Sequence, residues 1–333
     1  MMLNGYAQIQ LDSSFTVSGS VDTYFRANLN STNDITNGGT IAPGTSFADL
    51  PGFSLGMFNL VSTYEGKKAG FTADLVFGPR GEDAVFGSEG SSNIVNQLFA
   101  FWNVSDKVKL TLGNFNTFLG YEVISPTVNF NYSTSYMFSW GPFSHTGLKA
   151  DFDLGGGFSL MTAVLNPTDF TEFNPFGADG IAGGLQLGYS NDKGGAWLNT
   201  IISDDFYQID LTTGWQATDK VYVGFNATTA KESFSGAALY LQLATSDALS
   251  LGIRGEYFLD SGVGVVDLDM EDGEDESVFD ITLSANYKVG NLTIIPEVRL
   301  DAFSDDVVIP DFEKITEVEK SLASFVLAVV YSF

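Results

Sequence analysis

The chain ends in Ser321-Leu322-Ala323-Ser324-Phe325-Val326-Leu327-Ala328-Val329-Val330-Tyr331-Ser332-Phe333. Its odd positions from Ala323 onward are Ala, Phe, Leu, Val, Tyr and Phe, so a strand here has one continuous apolar face. A last strand with aromatic residues at its final alternate positions and a terminal Phe is typical of an outer-membrane β-barrel. We therefore expect a membrane barrel whose insertion machinery recognises Phe333.

Composition agrees with this expectation and excludes other classes of protein. The 333 residues include 36 Gly, 29 Phe and 13 Tyr but no Cys, so disulfides and thiolate chemistry are excluded. No run of about 18 apolar residues is present, as a membrane-spanning helix would need. Strands remain for crossing a bilayer, because lipid leaves every backbone polar group to be satisfied within the protein.

The charge balance is strongly acidic. Fifteen Lys and Arg stand against 41 Asp and Glu, which gives a formal net charge of -26. Nucleic-acid binding needs a basic surface, so it is excluded as a function. We expect instead a cell-surface protein whose extracellular loops are acidic.

Alternation with a period of two runs through the chain. In the first segment one face is apolar, from Phe15 to Leu29, while the other carries Asp22, Arg26 and polar neighbours. Four segments are apolar on both faces, so their orientation is not predicted: 53–64, 94–104, 158–165 and 195–202.

The connections alternate in length. Short turns are predicted near 65–68, 105–107, 155–157, 191–194, 218–220, 245–247 and 289–291. Mostly longer connections lie near 30–52, 79–93, 116–145, 166–180, 203–206, 230–236, 260–277 and 302–320.

Seven turns and eight loops predict about sixteen strands over residues 15–333. The predicted fold is an all-β, transmembrane, antiparallel up-and-down β-barrel with short periplasmic turns and long extracellular loops. A soluble sandwich or propeller is the alternative architecture. Residues 1–14 are interpreted as a leader remnant or a periplasmic extension, since they lack the basic start and apolar core of a signal peptide.

Several motifs resemble a known family, the OmpL-like β-barrel porins of Gram-negative outer membranes. They lie at 18–25, 74–81, 93–97, 103–107, 113–115, 120–122, 131–135 and 141–147. The resemblance covers about 15–333 and is dense in the first half. It implies a location in the outer membrane and a porin fold, and it identifies no particular solute.

A sixteen-stranded barrel is too wide for its own side chains to fill, so it holds water unless a segment plugs it. The connection 116–145 is the longest and is rich in aromatic residues. A loop of about thirty residues in a compact fold is usually functional. We predict that it folds into the barrel and narrows it.

Charged residues on the lumen face give the candidate site. Parity places three arginines on strands one, thirteen and fifteen, which become neighbours when strand sixteen pairs with strand one. Mixed rings of charge set ion selectivity in channels, although the same charges could instead pair and stiffen the wall. The candidate pore-lining and constriction residues are Arg26, Arg254, Arg299, Asp22, Glu256, Glu297, Asp301, Glu122 and Tyr121.

The connection 260–277 is acidic and has no basic residue. Oxygen-rich clusters can hold Ca²⁺ or Mg²⁺, which makes a weak metal candidate of Asp267, Asp269, Glu271 and Asp272. A solvated surface loop that attracts cations is the favoured interpretation. No cofactor is expected. Catalysis is not expected either, because the one histidine, His145, lies in no hydrolase motif.

The predicted function is a porin: a passive aqueous channel for small hydrophilic solutes and ions in the cell outer membrane, in contact with the lipid bilayer and constricted by the 116–145 loop. The alternative is a non-conducting barrel that serves as scaffold or partner of a surface lipoprotein or secretion complex. A homo-oligomer is suggested only by analogy with other sixteen-stranded porins.

Overall fold

The computed structural model describes residues 9–10, 14–33, 44–265, 276–308 and 318–333. Sixteen antiparallel strands form one closed sheet in which each strand pairs with its neighbours in sequence. The strands are β1 Phe15–Asn28, β2 Gly52–Glu65, β3 Ala69–Phe77, β4 Val95–Ser105, β5 Val108–Asn116, β6 Ser144–Gly155, β7 Phe158–Leu165, β8 Ala182–Asn191, β9 Gly194–Ile202, β10 Tyr207–Gln216, β11 Val221–Ala230, β12 Phe234–Ala244, β13 Leu249–Asp260, β14 Glu276–Val289, β15 Leu292–Val308 and β16 Val318–Ser332.

Pairing of β16 with β1 closes the barrel, as predicted. The last residue completes this seam: the backbone groups of Phe333 and Gly19 exchange two hydrogen bonds of 2.9 and 3.0 Å. The Phe333 ring stacks on Phe58 of β2 at 6.4 Å between centroids. A two-residue strand, Ile9–Gln10, also pairs with β1. The predicted boundary at residue 14 remains a prediction.

Burial confirms the two-faced pattern. Along β1 the residues Ser20, Asp22 and Arg26 are buried in the barrel, whereas Val21 is 46% exposed on the outside. The alternation also resolves segments whose orientation the sequence left open. In β4, for example, Leu98 and Trp102 lie on the exposed outer face.

The seven short turns lie where they were predicted, between β2–β3, β4–β5, β6–β7, β8–β9, β10–β11, β12–β13 and β14–β15. The final long connection is shorter than predicted, because β15 continues to Val308 and β16 begins at Val318. The backbone stays paired there although the apolar alternation has ended. Residues 267, 269, 271 and 272, the weak metal candidate, lie outside the described residues.

Short helices occur in the long connections: α1 Pro79–Ala84, α2 Tyr136–Trp140 and the 3₁₀ turns Gly90–Ile94 and Gly177–Gly180. Among the described residues, no helix has the length and apolarity needed to cross a bilayer.

The two faces of β12 can be tested with one matched pair of substitutions. Leu239→Arg puts a charge on the outer face at mid-strand and is expected to destabilise the barrel by about 2–4 kcal/mol in lipid. Gln242→Arg, on the inner face of the same strand, is expected to have a much smaller effect. Urea unfolding in lipid vesicles would measure both, and equal losses would contradict the assigned orientation.

Candidate functional site

The connection from β5 to β6 folds into the barrel. We call residues 117–143 the inserted loop. Its central residues 131–138 are all buried, and they contact strands β13 to β15 on the far side of the barrel from β5 and β6. The loop therefore folds into the barrel, as predicted. It also crosses the lumen and is held at both sides.

Glu297 of β15 binds the loop backbone with both carboxylate oxygens. It accepts hydrogen bonds from the N–H of Tyr132 at 2.8 Å and of Ser133 at 3.0 Å. The Glu297 side chain is buried, so these N–H groups take the place of its water shell. Hydrogen bonds to a charged group contribute about 1.5–3 kcal/mol each.

Glu256 of β13 binds the next part of the loop backbone in the same way. It accepts from the N–H groups of Tyr136 and Met137, both at 2.8 Å. Between the two pairs, Glu122 of the loop itself accepts from the N–H of Ser135 at 2.7 Å. Five backbone donors in six consecutive residues, 132–137, are thus bound by carboxylates.

Two arginines bind the carbonyl groups of the same segment. Arg254 donates to the carbonyl of Ser133 at 2.8 Å, and Arg299 donates to that of Thr134 at 2.7 Å. Both arginines also form ion pairs with Asp280, at 3.0 and 2.8 Å. We call Glu122, Arg254, Glu256, Glu297 and Arg299 the backbone clamp.

Two carboxylates of this wall obtain hydrogen bonds from the loop backbone. Arg254 pairs with Glu122 at 2.8 Å, and Arg299 pairs with Asp301 at 2.7 Å, but Glu256 and Glu297 have no arginine among their described ion pairs. The backbone N–H groups of the loop supply the compensating partial charge. Without the loop, these carboxylates would lose these hydrogen bonds and would need water in their place.

Arg80 of α1 joins the inserted loop to two other connections. Its guanidinium lies over the rings of Phe47 and Tyr132, at 4.5 and 4.7 Å from their centroids. It donates to the carbonyl groups of Ile124 and Tyr132, both at 3.2 Å, and lies 3.6 Å from a carboxylate oxygen of Asp22. Asp22 in turn accepts from the Tyr132 hydroxyl.

Apolar packing extends these polar contacts. The inserted loop contributes to each of the four larger buried hydrophobic clusters of the described residues. The loop residues that do so include Leu119, Ile124, Tyr132, Tyr136, Met137, Phe138 and Phe143. The loop therefore packs its apolar side chains against apolar patches of the inner wall, such as those around Phe258 and Val326.

The tip of one turn in the inserted loop is accessible to water. Residues 123–129 form a compact turn in which the Asn129 side chain both accepts from the Val123 N–H, at 2.9 Å, and donates to the Val123 carbonyl, at 2.6 Å. Val128 at its tip is 44% exposed. This turn has no charged residue.

The structure brings most of the predicted site residues into one buried group on the β13–β15–β1 wall. Arg26, Arg254 and Arg299 are each 1% exposed or less. Tyr121 lies apart from this group and stacks on Tyr240 of β12 with centroids 4.0 Å apart. That these residues line the solute path remains a prediction.

Sequence reasoning missed two members of the site. Asp280 lies on the inner face of β14 by the same parity that identified the arginines, so the signal was present. Arg80 is in a loop helix, where strand parity gives no information, and its role depends on contacts with distant residues.

The one histidine is fully buried and does not adopt a catalytic arrangement. His145 Nε2 lies 2.9 Å from the Thr117 hydroxyl, and its ring packs against Phe118 with centroids 5.0 Å apart. It holds the first residues of the inserted loop against β6.

Asp169 holds the other end of the loop. Its carboxylate accepts from the N–H groups of Phe143 and Ser144 at 2.9 and 2.8 Å. Burial raises the pKa of Asp169 to about 7 from an ordinary value of 3.8, although both hydrogen bonds act in the opposite direction.

Comparison with known proteins adds family information. The family described as "Putative beta-barrel porin-2, OmpL-like" matches residues 14–333. No curated protein sequence matches significantly.

Solved structures show the same architecture. OmpF of Salmonella typhi, in complex with daunomycin, has a TM-score of 0.63 at 12% identity and covers 98% of this chain and 100% of its own. The trimer form of in-vitro folded OmpT from Vibrio cholerae has a TM-score of 0.57 at 11% identity, covering 96% and 99%. The low-pH structure of Pseudomonas putida OprB has a TM-score of 0.57 at 10% identity, covering 96% and 93%. Identities this low show the fold alone.

Removing one cation of the clamp should be costly. Arg254→Ala leaves the buried Glu122 without its guanidinium partner and removes one of the two that bind Asp280, so we expect a loss of about 3–5 kcal/mol. Lys231→Ala breaks an exposed pair with Glu232 and an exposed hydrogen bond to the Asp205 carbonyl, and it should cost less than about 1 kcal/mol. Urea unfolding of both variants would measure the difference, and a loss for Arg254→Ala as small as the control's would contradict the clamp.

The raised pKa of Asp169 predicts a pH dependence of stability. Folded protein binds this proton more tightly than unfolded protein, so the contribution is present below about pH 4 and is lost as pH rises through about 7. Asp169→Asn keeps an oxygen acceptor but stays neutral. We expect the unfolding temperature of Asp169→Asn to be higher than that of the wild type at pH 8. We expect this difference between the two proteins to be smaller at pH 4.5.

Asp169→Ala is the matched control, because it removes the acceptor and should be less stable than Asp169→Asn at both pH values. Identical pH profiles of the wild type and Asp169→Asn would show that Asp169 does not titrate in this range.

Proposed function

The chain belongs to the OmpL-like β-barrel porin family, and from this premise we propose that it forms a passive outer-membrane channel for small hydrophilic solutes and ions. The inserted loop is the constriction of this channel. The observation that carries the proposal is the attachment of loop backbone 132–137 to the β13–β15 wall, because it fixes a loop at mid-barrel where it limits the cross-section.

Water has access to the inner surface on the other side of the barrel. Lys149 and Asp151, which face the lumen from β6, have side chains 25% and 39% exposed and lie 3.6 Å apart. In a ring of sixteen strands β6 is opposite β14. We place the solute path beside the inserted loop on this side, away from the backbone clamp.

Selectivity for cations follows from the charge distribution. Arg254 and Arg299 are buried in ion pairs and loop contacts, so they contribute little field to a water-filled path. The net charge of -26 and the acidic outer connections attract cations to the mouth. We expect the sequence-predicted arginines to act through the position of the loop.

A non-conducting barrel is the second candidate, and one observation favours it. The inserted loop joins all four larger hydrophobic clusters, which is the arrangement of a plug as well as of a constriction. In that case the outer connections would bind a surface lipoprotein or a secretion complex.

Catalysis is not part of the proposal. Porin families are typically channels, and His145 is buried against Phe118 instead of facing a solvent-accessible serine. A homo-oligomer is proposed by analogy of fold alone, since the OmpT structure is described in a trimer form.

Single-channel recording in a planar bilayer tests the proposal. We expect stable current steps from the refolded protein, larger steps after residues 123–129 are replaced by a short Gly-Ser link, and a reversal potential under a KCl gradient that shows cation preference. A folded, heat-modifiable barrel without current would support the scaffold alternative.

A further inference from the structure

Four glycines on the inner wall lie directly under side chains of the inserted loop. A Cβ atom added at any of them would come closer than 3.0 Å to a loop side chain. The glycine and loop residue pairs are Gly184 with Phe118, Gly224 with Tyr121, Gly236 with Met137 and Gly252 with Phe130.

Two of these pairs involve the loop alone. At Gly224 the three atoms nearest to an added Cβ all belong to Tyr121, and at Gly252 all three belong to Phe130. Glycines elsewhere in the sheet differ: an added Cβ at Gly147 would first meet the backbone of the paired strand. The space above Gly224 and Gly252 is therefore shaped for the loop and not for the sheet.

Glycine inside a strand weakens it, because the unfolded backbone is freer and no side chain packs. A close approach by another group is the usual structural reason for keeping it. Here each glycine forms the floor of a site whose sides are neighbouring residues. Tyr121, for example, lies over Gly224 and stacks on Tyr240, the register partner of Gly224 on β12.

We propose that Gly184, Gly224, Gly236 and Gly252 are sockets that set how deeply the inserted loop seats against the wall, and hence the width of the channel. This inference rests on the proposed channel function only for its effect on width. The seating of the loop can be measured whether or not the barrel conducts.

The direction of the effect follows from the geometry. A methyl group at Gly252 occupies space held by the Phe130 ring, so the ring must move away from the wall. The backbone clamp still holds residues 132–137, while the Phe130 carbonyl is tied only by one hydrogen bond of 3.2 Å from Asn286. Ile124 is held by Arg80 and by buried packing. The segment 125–130, with Val128 exposed at its tip, is thus the part that moves, and it moves toward the lumen.

The test compares Gly252→Ala with Gly255→Ala. Both glycines are in β13, but an added Cβ at Gly255 has nothing within 4 Å. Each is combined with Val128→Cys, which places a single thiol on the loop because the chain has no cysteine. We expect faster maleimide labelling and smaller current steps for Gly252→Ala, and values equal to the parent for Gly255→Ala.

A second substitution distinguishes a filled socket from a misfolded strand, because a smaller loop side chain should compensate for the larger residue in the wall. Phe130→Leu removes ring atoms, so we expect Gly252→Ala with Phe130→Leu to return labelling and current toward the parent values, a coupling that a merely unstable strand would not show. Gly224→Ala should repeat the effect through Tyr121.

Equal labelling of Gly252→Ala and Gly255→Ala would overturn the inference. Wild-type protein without current would overturn the proposed channel but not the sockets, since the labelling comparison would still report the seating of the loop.

Discussion

The attachment of a loop backbone to buried charges is the interaction on which the inside of this barrel depends. Glu256 and Glu297 are buried, and desolvated carboxylates are strongly unfavourable unless hydrogen bonds satisfy them. Four N–H groups of the inserted loop do so. Replacing a buried ion pair by apolar residues is often neutral or stabilising, so these charges are poorly explained as stabilisers alone. Their contacts are with backbone atoms, which specify the path of the loop with little dependence on its side chains.

Much of the barrel could be predicted from local sequence because a membrane barrel is a repetitive structure. Each strand needs one apolar face and each periplasmic turn is short, so period-two alternation and turn residues such as Gly155-Gly156-Gly157 carry nearly all the information. Strands that are apolar on both faces gave no prediction of their orientation. In β4, Phe99 faces inward and packs near the inserted loop, and Phe101 faces inward beneath Lys109 of β5. The outer residues Leu98 and Trp102 are equally apolar, so composition alone could not separate the two faces.

Only the part of the candidate site that lies on strands could be predicted, because the alternation of inward and outward residues applies only there. The alternation along a strand predicts which arginines and carboxylates face inward, but it does not predict which groups they bind. Arg254 binds Glu122 across 132 residues of sequence and Arg299 binds the Thr134 carbonyl across 165. Arg80, Asp169 and the backbone donors of 132–137 lie in the connections between strands, where the strand periodicity does not relate position to direction. Inward glycines were visible by parity, but their meaning depends on which loop side chain lies above them.

In the channel that we propose, the position of the loop and the selectivity for ions are controlled by different parts of the molecule. A guanidinium that donates to loop carbonyls and buried carboxylates has its positive charge compensated at short range. Its field in the lumen is therefore weak compared with that of a partly exposed group such as Lys149. The clamp and the glycine sockets act on geometry, by fixing where the loop lies. In the proposed channel, the charges that solutes meet are those on the β6 side and on the outer connections. The charges along the proposed path can then vary without releasing the loop. The uncharged turn 123–129 can also vary without disturbing the backbone clamp, since the turn and the clamp share no described hydrogen bond or ion pair.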